Sequence, residues 1–177
     1  MAERGRSFID PIPGPFVAID FETADEGADS ACEIGIVRVE GRDVTRRIRQ
    51  RFRPPRDYFK FTGIHGITWE DVEDKPTFAE AWPLLEGAFE GAAFIAAHNA
   101  GFDRGVLEAC CGDAGLEPPA LPWLCTARQA RKQLGIFPAN LANVARELKI
   151  PLNHHRALSD AEACARIVVA VRRVLGS

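Results

Sequence analysis

The stretch FVAIDFET at residues 16–23 places the tightest constraint on the fold. Its first residues are apolar on both faces and follow Gly14 and Pro15, which is typical of a strand buried at the centre of a sheet. Both faces of such a sheet must be covered by other elements. The strand ends with Asp20 and Glu22, whose carboxylates point to one face about 7 Å apart along the backbone.

The rest of the chain predicts a mixed sheet. CEIGIVRVEG and TRRIRQRFRP have strand character and are separated by a turn at Gly41, so the first three strands should form an antiparallel meander. Because parallel strands need crossover connections, the alternating helices and strands that follow indicate an α/β fold, a mixed sheet flanked by helices. A helix is predicted over 77–89, where Pro83 should bend or shorten it, and AAFIAAH follows as a buried strand. Further helices are predicted from 101 to Gly112 or Gly115, and at about 126–134, 140–149 and 157–175.

Composition indicates one globular domain. The chain has 177 residues, 46% of them hydrophobic and 27% charged, which is enough for a single domain with a sizeable core. We expect it to span 15–175, after a short amino-terminal extension of residues 1–14. No apolar run approaches about 18 residues and no signal peptide is present, so no membrane association or export is expected. Five cysteines without C-x-x-C spacing predict reduced core residues of a cytoplasmic protein.

Four acidic residues lie where a metal ion could be bound. Asp20 and Glu22 form a pair that suits hard divalent cations, although the strand could instead simply end in solvent. Asp103, in HNAGFD, falls near the first turn of a helix, where routine capping is the alternative. Asp160 precedes Cys164 by four residues and therefore lies on the apolar stripe of the last helix. A carboxylate that faces the core needs a cation or hydrogen-bond donors.

The segment NHHRALSD adds a histidine to these acids. His155 is predicted to lie on the loop that enters the last helix, within reach of whatever Asp160 coordinates, and histidine can accept a proton near neutral pH. An ordinary surface position is the alternative interpretation.

Residues 42–56 are rich in arginine, with seven arginines and one acid, Asp43. A charged edge strand is one interpretation of this segment, and attraction of phosphate groups is the other. The formal net charge of −3 neither requires nor excludes nucleic acid as a partner.

Four carboxylates and a mobile histidine fit phosphoryl transfer assisted by two divalent cations. The segments DFET, CEIGIV, GIHGIT, HNAGFD and HHRALSD occur in this order over about residues 16–170. The chain thereby resembles the DEDDh (DnaQ-like) family of 3′-to-5′ exonucleases, and within it the proofreading epsilon subunits of bacterial DNA polymerase III. This resemblance implies a ribonuclease H-like fold with a mixed five-stranded sheet, and two Mg²⁺ or Mn²⁺ ions.

The resemblance also implies roles for individual residues. Asp20, Glu22, Asp103 and Asp160 would bind the metal ions. By the family spacing, His155 rather than His154 would accept the proton of the water that attacks the terminal phosphodiester. Matching positions on the substrate side are Phe21, Thr23, Ile64, His65, His98, Asn99 and Phe102. For His65 and His98, hydrogen bonding within a turn or at a strand end is an equally good interpretation.

The chain departs from the family pattern in two places. DFET replaces the commoner DTET, so that Phe21 alters the surface below the terminal nucleotide. The sequence ends at Ser177 without a counterpart of the segment by which the proofreading subunit attaches to its polymerase. We therefore expect no stable polymerase association.

The leading prediction is a stand-alone exonuclease that removes nucleoside 5′-monophosphates from the 3′ ends of single-stranded DNA, in repair or proofreading. An exoribonuclease that trims RNA or short oligonucleotides is the alternative, because no motif reveals how a 2′-hydroxyl would be read. A non-catalytic nucleic-acid-binding module is the third possibility.

Overall fold

One mixed sheet organises the part of the chain that the computed structural model describes, residues 8–176. Its strands are β1 Phe16–Thr23, β2 Ala31–Glu40, β3 Asp43–Arg51, β4 Phe94–Ala97 and β5 Trp123–Cys125. They lie in the order β3-β2-β1-β4-β5. The first three pair antiparallel, whereas β4 is parallel to β1 and β5 is parallel to β4. The predicted meander and mixed sheet are confirmed, with FVAIDFET as the central strand.

Six helices flank the sheet within these residues. They are α1 Thr62–His65, α2 Phe78–Leu85, α3 Gly101–Asp113, α4 Thr126–Leu134, α5 Leu141–Glu147 and α6 Ala157–Leu175. Pro83 lies inside α2, which ends at Leu85, and a 3₁₀ turn, Glu86–Phe89, continues the chain. The helix predicted over 77–89 is thus shortened, as expected for a proline that removes a backbone donor. No helix of the described residues is both long and apolar enough to cross a membrane.

The central strand contributes to a core on each face of the sheet. Val17 and Ile19 pack on the side of α2 and α3, and Phe16 and Ala18 pack on the side of α4, α5 and α6. This arrangement explains the continuous apolar run in β1, because a strand covered on both faces has no side that favours polar residues.

The last helix approaches the sheet closely at Gly35. This glycine lies opposite Asp20 in the pairing of β1 with β2. A Cβ atom at Gly35 would lie 2.2 Å from the carbonyl oxygen of Ala157, the first residue of α6. Because that neighbour is backbone, the missing side chain is what admits the start of α6 beside Asp20.

The arginine-rich segment forms the edge strand and the chain that follows it. Most of its guanidinium groups bind acids or carbonyl groups: Arg47 binds Glu162, Arg49 and Arg51 bind Glu33, Arg53 donates to Glu73 O, and Arg56 binds both Asp25 and Asp29. Arg42 and Arg46 make no ion pair with a described residue. The segment is therefore mainly a set of intramolecular ion pairs, and few of its arginines remain available for other partners.

Residues 8–14, the described part of the predicted extension, lie against the domain. The Ile9 amide donates to Trp123 O at 2.9 Å, and the Arg172 guanidinium donates to the carbonyl oxygens of Ile12 and Gly14.

All five cysteines are buried and free, as predicted for reduced core residues. Burial raises the pKa of four of the thiols, those of Cys32, Cys110, Cys111 and Cys164. These four remain protonated at neutral pH, and a thiol without thiolate character is a poor nucleophile.

Candidate active site

Three carboxylates meet at the carboxyl end of β1. Asp20 and Glu22 project from that strand, Asp160 comes from the first turn of α6, and one oxygen of each lies within 4.8 Å of the others. Strand periodicity accounts for the first two. The third is brought in by the close approach of α6 at Gly35.

Asp103 lies behind these three acids. It is buried in the first turn of α3, and its Oδ1 accepts a hydrogen bond from the Phe21 amide at 2.9 Å. Phe21 stands between Asp20 and Glu22 in the chain, so this bond ties the fourth acid to the strand that carries the first two. Asp103 does not line the cleft described below.

Burial raises the pKa of all four carboxyl groups, and the charges of neighbouring carboxylates add to this shift for Asp20, Glu22 and Asp103. Removal from water raises the pKa of Asp20 well above its usual value, and the charges of Asp103 and Asp160 add to this effect. Burial and the charge of Asp160 raise the pKa of Glu22 to about 7. Burial also raises the pKa of Asp103 and of Asp160, and for Asp103 the Phe21 amide opposes the shift. The protein alone therefore does not compensate the negative charge that these acids carry when they are ionised.

These residues fit a divalent metal ion. Asp160 Oδ1 is buried and has no hydrogen-bond partner among residues 8–176, which leaves one carboxylate oxygen free to coordinate. Hard cations such as Mg²⁺ or Mn²⁺ prefer carboxylate oxygens, and a cation would also relieve the repulsion that raises the pKa values. Asp20, Glu22 and Asp160 are the residues that would hold it, with Asp103 next to them.

Both histidines of NHHRALSD are close to Asp160. The His154 ring, which is exposed, donates from Nδ1 to Asp160 Oδ2 at 2.8 Å. His155 uses its backbone N–H instead, which donates to the same oxygen at 3.1 Å, and its φ of 62° lies in the left-handed region. The two rings stack with their centroids 3.8 Å apart. The sequence pattern gave no indication that His154 would contact Asp160.

A cleft of about 370 Å³ opens over this site. Every residue predicted on the substrate side lines it: Phe21, Thr23, Ile64, His65, His98, Asn99 and Phe102. Ile64 and Phe102 are each 54% exposed, whereas Phe21 is 3% exposed and packs mainly into the core. Asn140 and Leu141 also line the cleft, and no sequence motif had pointed to them.

Two further histidines of the cleft are hydrogen-bonded within the protein. His65 Nε2 donates to Thr23 O at 3.0 Å, and its Nδ1 accepts from the Ile67 amide at 3.0 Å. His98 Nε2 donates to Ala139 O at 2.8 Å, and its Nδ1 lies 2.9 Å from the Thr126 hydroxyl. These contacts hold the ends of β1 and β4 in place, and contact with a substrate stays a prediction for both residues.

The burial of His98 predicts a specific dependence of stability on pH. Burial lowers the pKa of His98 to about 4, below the usual value of about 6.5, so the unfolded chain binds the proton first as the pH falls. The contribution of His98 to the free energy of unfolding should be complete above about pH 6.5 and smaller by about 2 kcal/mol at pH 5. Urea titrations at pH 7.5 and pH 5 would measure how much the free energy of unfolding differs between the two pH values. In His98→Gln this difference should be smaller by about 2 kcal/mol. An unchanged pH dependence in the variant would contradict the prediction.

The raised pKa values of the acids predict that a divalent cation stabilises the protein, and more strongly at high pH. Because its pKa is raised from 4.5 to about 7, Glu22 lowers the free energy of unfolding as the pH rises between these two values, where the folded state keeps a proton that the unfolded chain has lost. At a hundredfold excess over Kd, Mg²⁺ or Mn²⁺ should stabilise the fold by about 2.7 kcal/mol, a rise in Tm of about 5–10 °C. The rise should be larger at pH 8 than at pH 6, where protons compete with the metal.

Thermal unfolding with and without the metal ion would measure this effect. Asp160→Asn should abolish the shift, whereas the exposed residue Asp113, changed to Asn, is a matched control that should retain it. Equal shifts at both pH values, or a shift that persists in Asp160→Asn, would refute the assignment.

The sequence matches the family model RNase_T, described as an exonuclease, over residues 17–168. The PolC-type DNA polymerase III of Thermotoga maritima is 34% identical over 157 residues, which are 86% of this chain and 11% of the polymerase. Exodeoxyribonuclease 10 of Escherichia coli K12 is 34% identical over 119 residues, 64% of this chain and 48% of that protein. The chain thus spans about a tenth and about half of these two relatives.

Two solved structures superpose on nearly all of the chain. Exonuclease X in complex with 5′-overhanging duplex DNA has a TM-score of 0.74 at 26% identity and covers 92% of this chain and 93% of that one. The nuclease domain of 3′hExo, a DEDDh family member bound to rAMP, has a TM-score of 0.75 at 20% identity, with 96% of each chain covered. The predicted ribonuclease H-like fold is thereby confirmed.

Proposed function

The chain belongs to the DnaQ-like exonuclease family that the RNase_T model describes, and from this premise we propose that it is a metal-dependent exonuclease releasing nucleoside 5′-monophosphates from the 3′ ends of single-stranded DNA. The observation that carries the proposal is the meeting of Asp20, Glu22 and Asp160 in one cleft, with Asp103 behind them and His155 on the adjoining loop. Carboxylates that raise one another's pKa are typical of functional sites, because stability alone would disfavour them.

His155 is the proposed proton acceptor. Burial and the neighbouring His154 lower its pKa, so the ring is neutral at pH 7 and can accept a proton from an attacking water. Asp20, Glu22 and Asp160 would hold the cations, and Asp103, next to them, would complete the set of four carboxylates. When bound, two divalent cations supply stabilisation of the charge that develops on the phosphate and on the leaving 3′ oxygen. Ile64 and Phe102, exposed at the cleft, offer apolar surface for the terminal bases.

DNA is the favoured substrate. The chain's relatives include a DNA polymerase and an exodeoxyribonuclease, and exonuclease X was solved with DNA. With such a substrate, the proposed biological role is DNA repair or proofreading-like trimming of strand ends.

Degradation of matched strands tests the proposal. Single-stranded DNA and RNA of one sequence, labelled at the 5′ end, are incubated with Mg²⁺ or Mn²⁺, and the products are resolved by length. We expect a ladder that shortens from the 3′ end, release of 5′-monophosphates, and faster loss of DNA, with Asp20→Asn inactive.

Each other outcome supports a different function. Faster loss of RNA would favour an exoribonuclease. No mononucleotide release with either metal, together with unchanged nucleic-acid binding by Asp20→Ala, would favour a non-catalytic binding module.

A further inference from the structure

A second depression runs along the outer side of α6. It consists of two adjoining parts of about 530 and 730 Å³, both lined by Arg166. One part lies beside the carboxyl-terminal half of α6. The other reaches Ser159, which is next to Asp160 in the cleft over the acidic residues, called the catalytic cleft from here on. We call the whole depression, from Ser159 to Arg173, the basic groove. At 1.5 Å per residue this stretch of helix is about 21 Å long.

Four exposed cations of the basic groove have no ion-pair partner within residues 8–176: Arg42, Lys149, Arg156 and Arg173. The other cations of the groove are already engaged. Arg47 and Arg166 both bind Glu162, and Arg49 binds the buried Glu33. The paired arginines therefore fix the wall of the groove, while the unpaired side chains extend into solvent and can bind an external anion.

The distribution of these charges fits a chain of phosphates. The protein as a whole has a formal charge of −3, so, among the described residues, four unpaired cations beside one unpaired acid, Asp43, are a local excess of positive charge rather than an average feature. Cations spread over about 20 Å match a polymer that carries a charge every few ångströms, as a nucleic-acid strand does with one phosphate per about 3.4 Å in B-form geometry.

The basic groove also begins where the catalytic cleft ends. Arg156 lines the basic groove together with Ser159, and it directly follows His155, which lines the cleft. We propose that the basic groove binds the sugar-phosphate backbone of the substrate strand upstream of its 3′ end. This inference rests on the proposed function, because it extends the path of the same substrate.

The salt dependence of binding tests the inference. Affinity for the single strands dT4 and dT12 is measured in EDTA over a range of salt concentrations, for the wild type and for the triple variant Arg42→Ala, Lys149→Ala, Arg173→Ala. Arg156 is left unchanged because it adjoins His155. For dT12, neutralising three contacts should make the slope of log K against log salt shallower by about 2. For dT4, which is too short to occupy both regions, the slope should change little.

A triple variant with the same change of charge, Arg46→Ala, Arg128→Ala and Lys132→Ala, is the matched control, because none of these residues lines the groove. Equal effects of the two triple variants on dT12, or no effect of either, would overturn the inference and leave a protein partner as the occupant of the groove. Thermal unfolding verifies that both variants fold. Hydrolysis of a dinucleotide with Mn²⁺ reports on the proposed function separately, since so short a substrate does not extend beyond the catalytic cleft.

Discussion

Replacing His155 with alanine is expected to lower kcat on single-stranded DNA by about 10²–10⁴-fold while leaving the Kd for that DNA unchanged. The reason is that His155 is proposed to act on the attacking water and not on the ground-state substrate. Its neighbour His154 already donates a hydrogen bond to Asp160, whereas the ring of His155 makes no such bond to that carboxylate. Neither ring nitrogen of His155 is thus engaged by that carboxylate, which agrees with the proposed role of the ring as proton acceptor.

The pH profile distinguishes this role from a structural one. In the wild type, the rate should fall as the pH drops through the pKa of His155, because a protonated ring cannot accept a proton. His155→Ala should lose that limb of the profile and keep any part that comes from the carboxylates. His154→Ala is the matched control and should lose much less activity. Equal losses of kcat in the two variants would exclude His155 as the proton acceptor.

Replacing Gly35 with alanine is expected to destabilise the protein by about 3 kcal/mol or more. The added Cβ would lie 2.2 Å from the Ala157 carbonyl oxygen, so either β2 or the start of α6 must move. Because Asp160 is in the first turn of α6, the same movement should weaken metal binding. The variant should therefore show a lower free energy of unfolding and also a smaller rise in Tm on addition of Mn²⁺.

A second glycine provides the control for this prediction. Gly105 lies inside α3 and has nothing within 4 Å of an added Cβ, so Gly105→Ala should be neutral or stabilising by up to about 1 kcal/mol. Chemical denaturation of both variants gives the comparison. A loss of stability at Gly35 no larger than the change at Gly105 would show that the close approach is not needed.

Local patterns were enough to predict the main elements and the direction of the acids. The apolar run before Asp20 identified the central strand, and the spacing of Asp160 from Cys164 placed that carboxylate on the inward side of α6. Both conclusions depend on periodicity along one element, which a sequence contains in full. The helix at 77–89 was shortened for a similar local reason, the presence of Pro83.

Contacts between distant parts of the chain could not be predicted in this way. The packing of Ala157 against Gly35 joins residues more than a hundred positions apart, and nothing near Gly35 in the sequence indicates it. The same holds for Arg47, whose partner Glu162 lies 115 residues away. The contact between His154 and Asp160 is local, but the loop that makes it contains a left-handed φ at His155, which no residue pattern indicates.

The burial of every native thiol has a practical consequence for labelling. Since none of the five cysteines is exposed, a cysteine introduced on the surface would be the thiol that reacts with a maleimide dye. A single fluorophore could then be attached at the rim of the catalytic cleft or in the basic groove without first removing the native cysteines. Arrival of a nucleic-acid strand at either place could thus be followed by fluorescence in a protein whose core is unaltered.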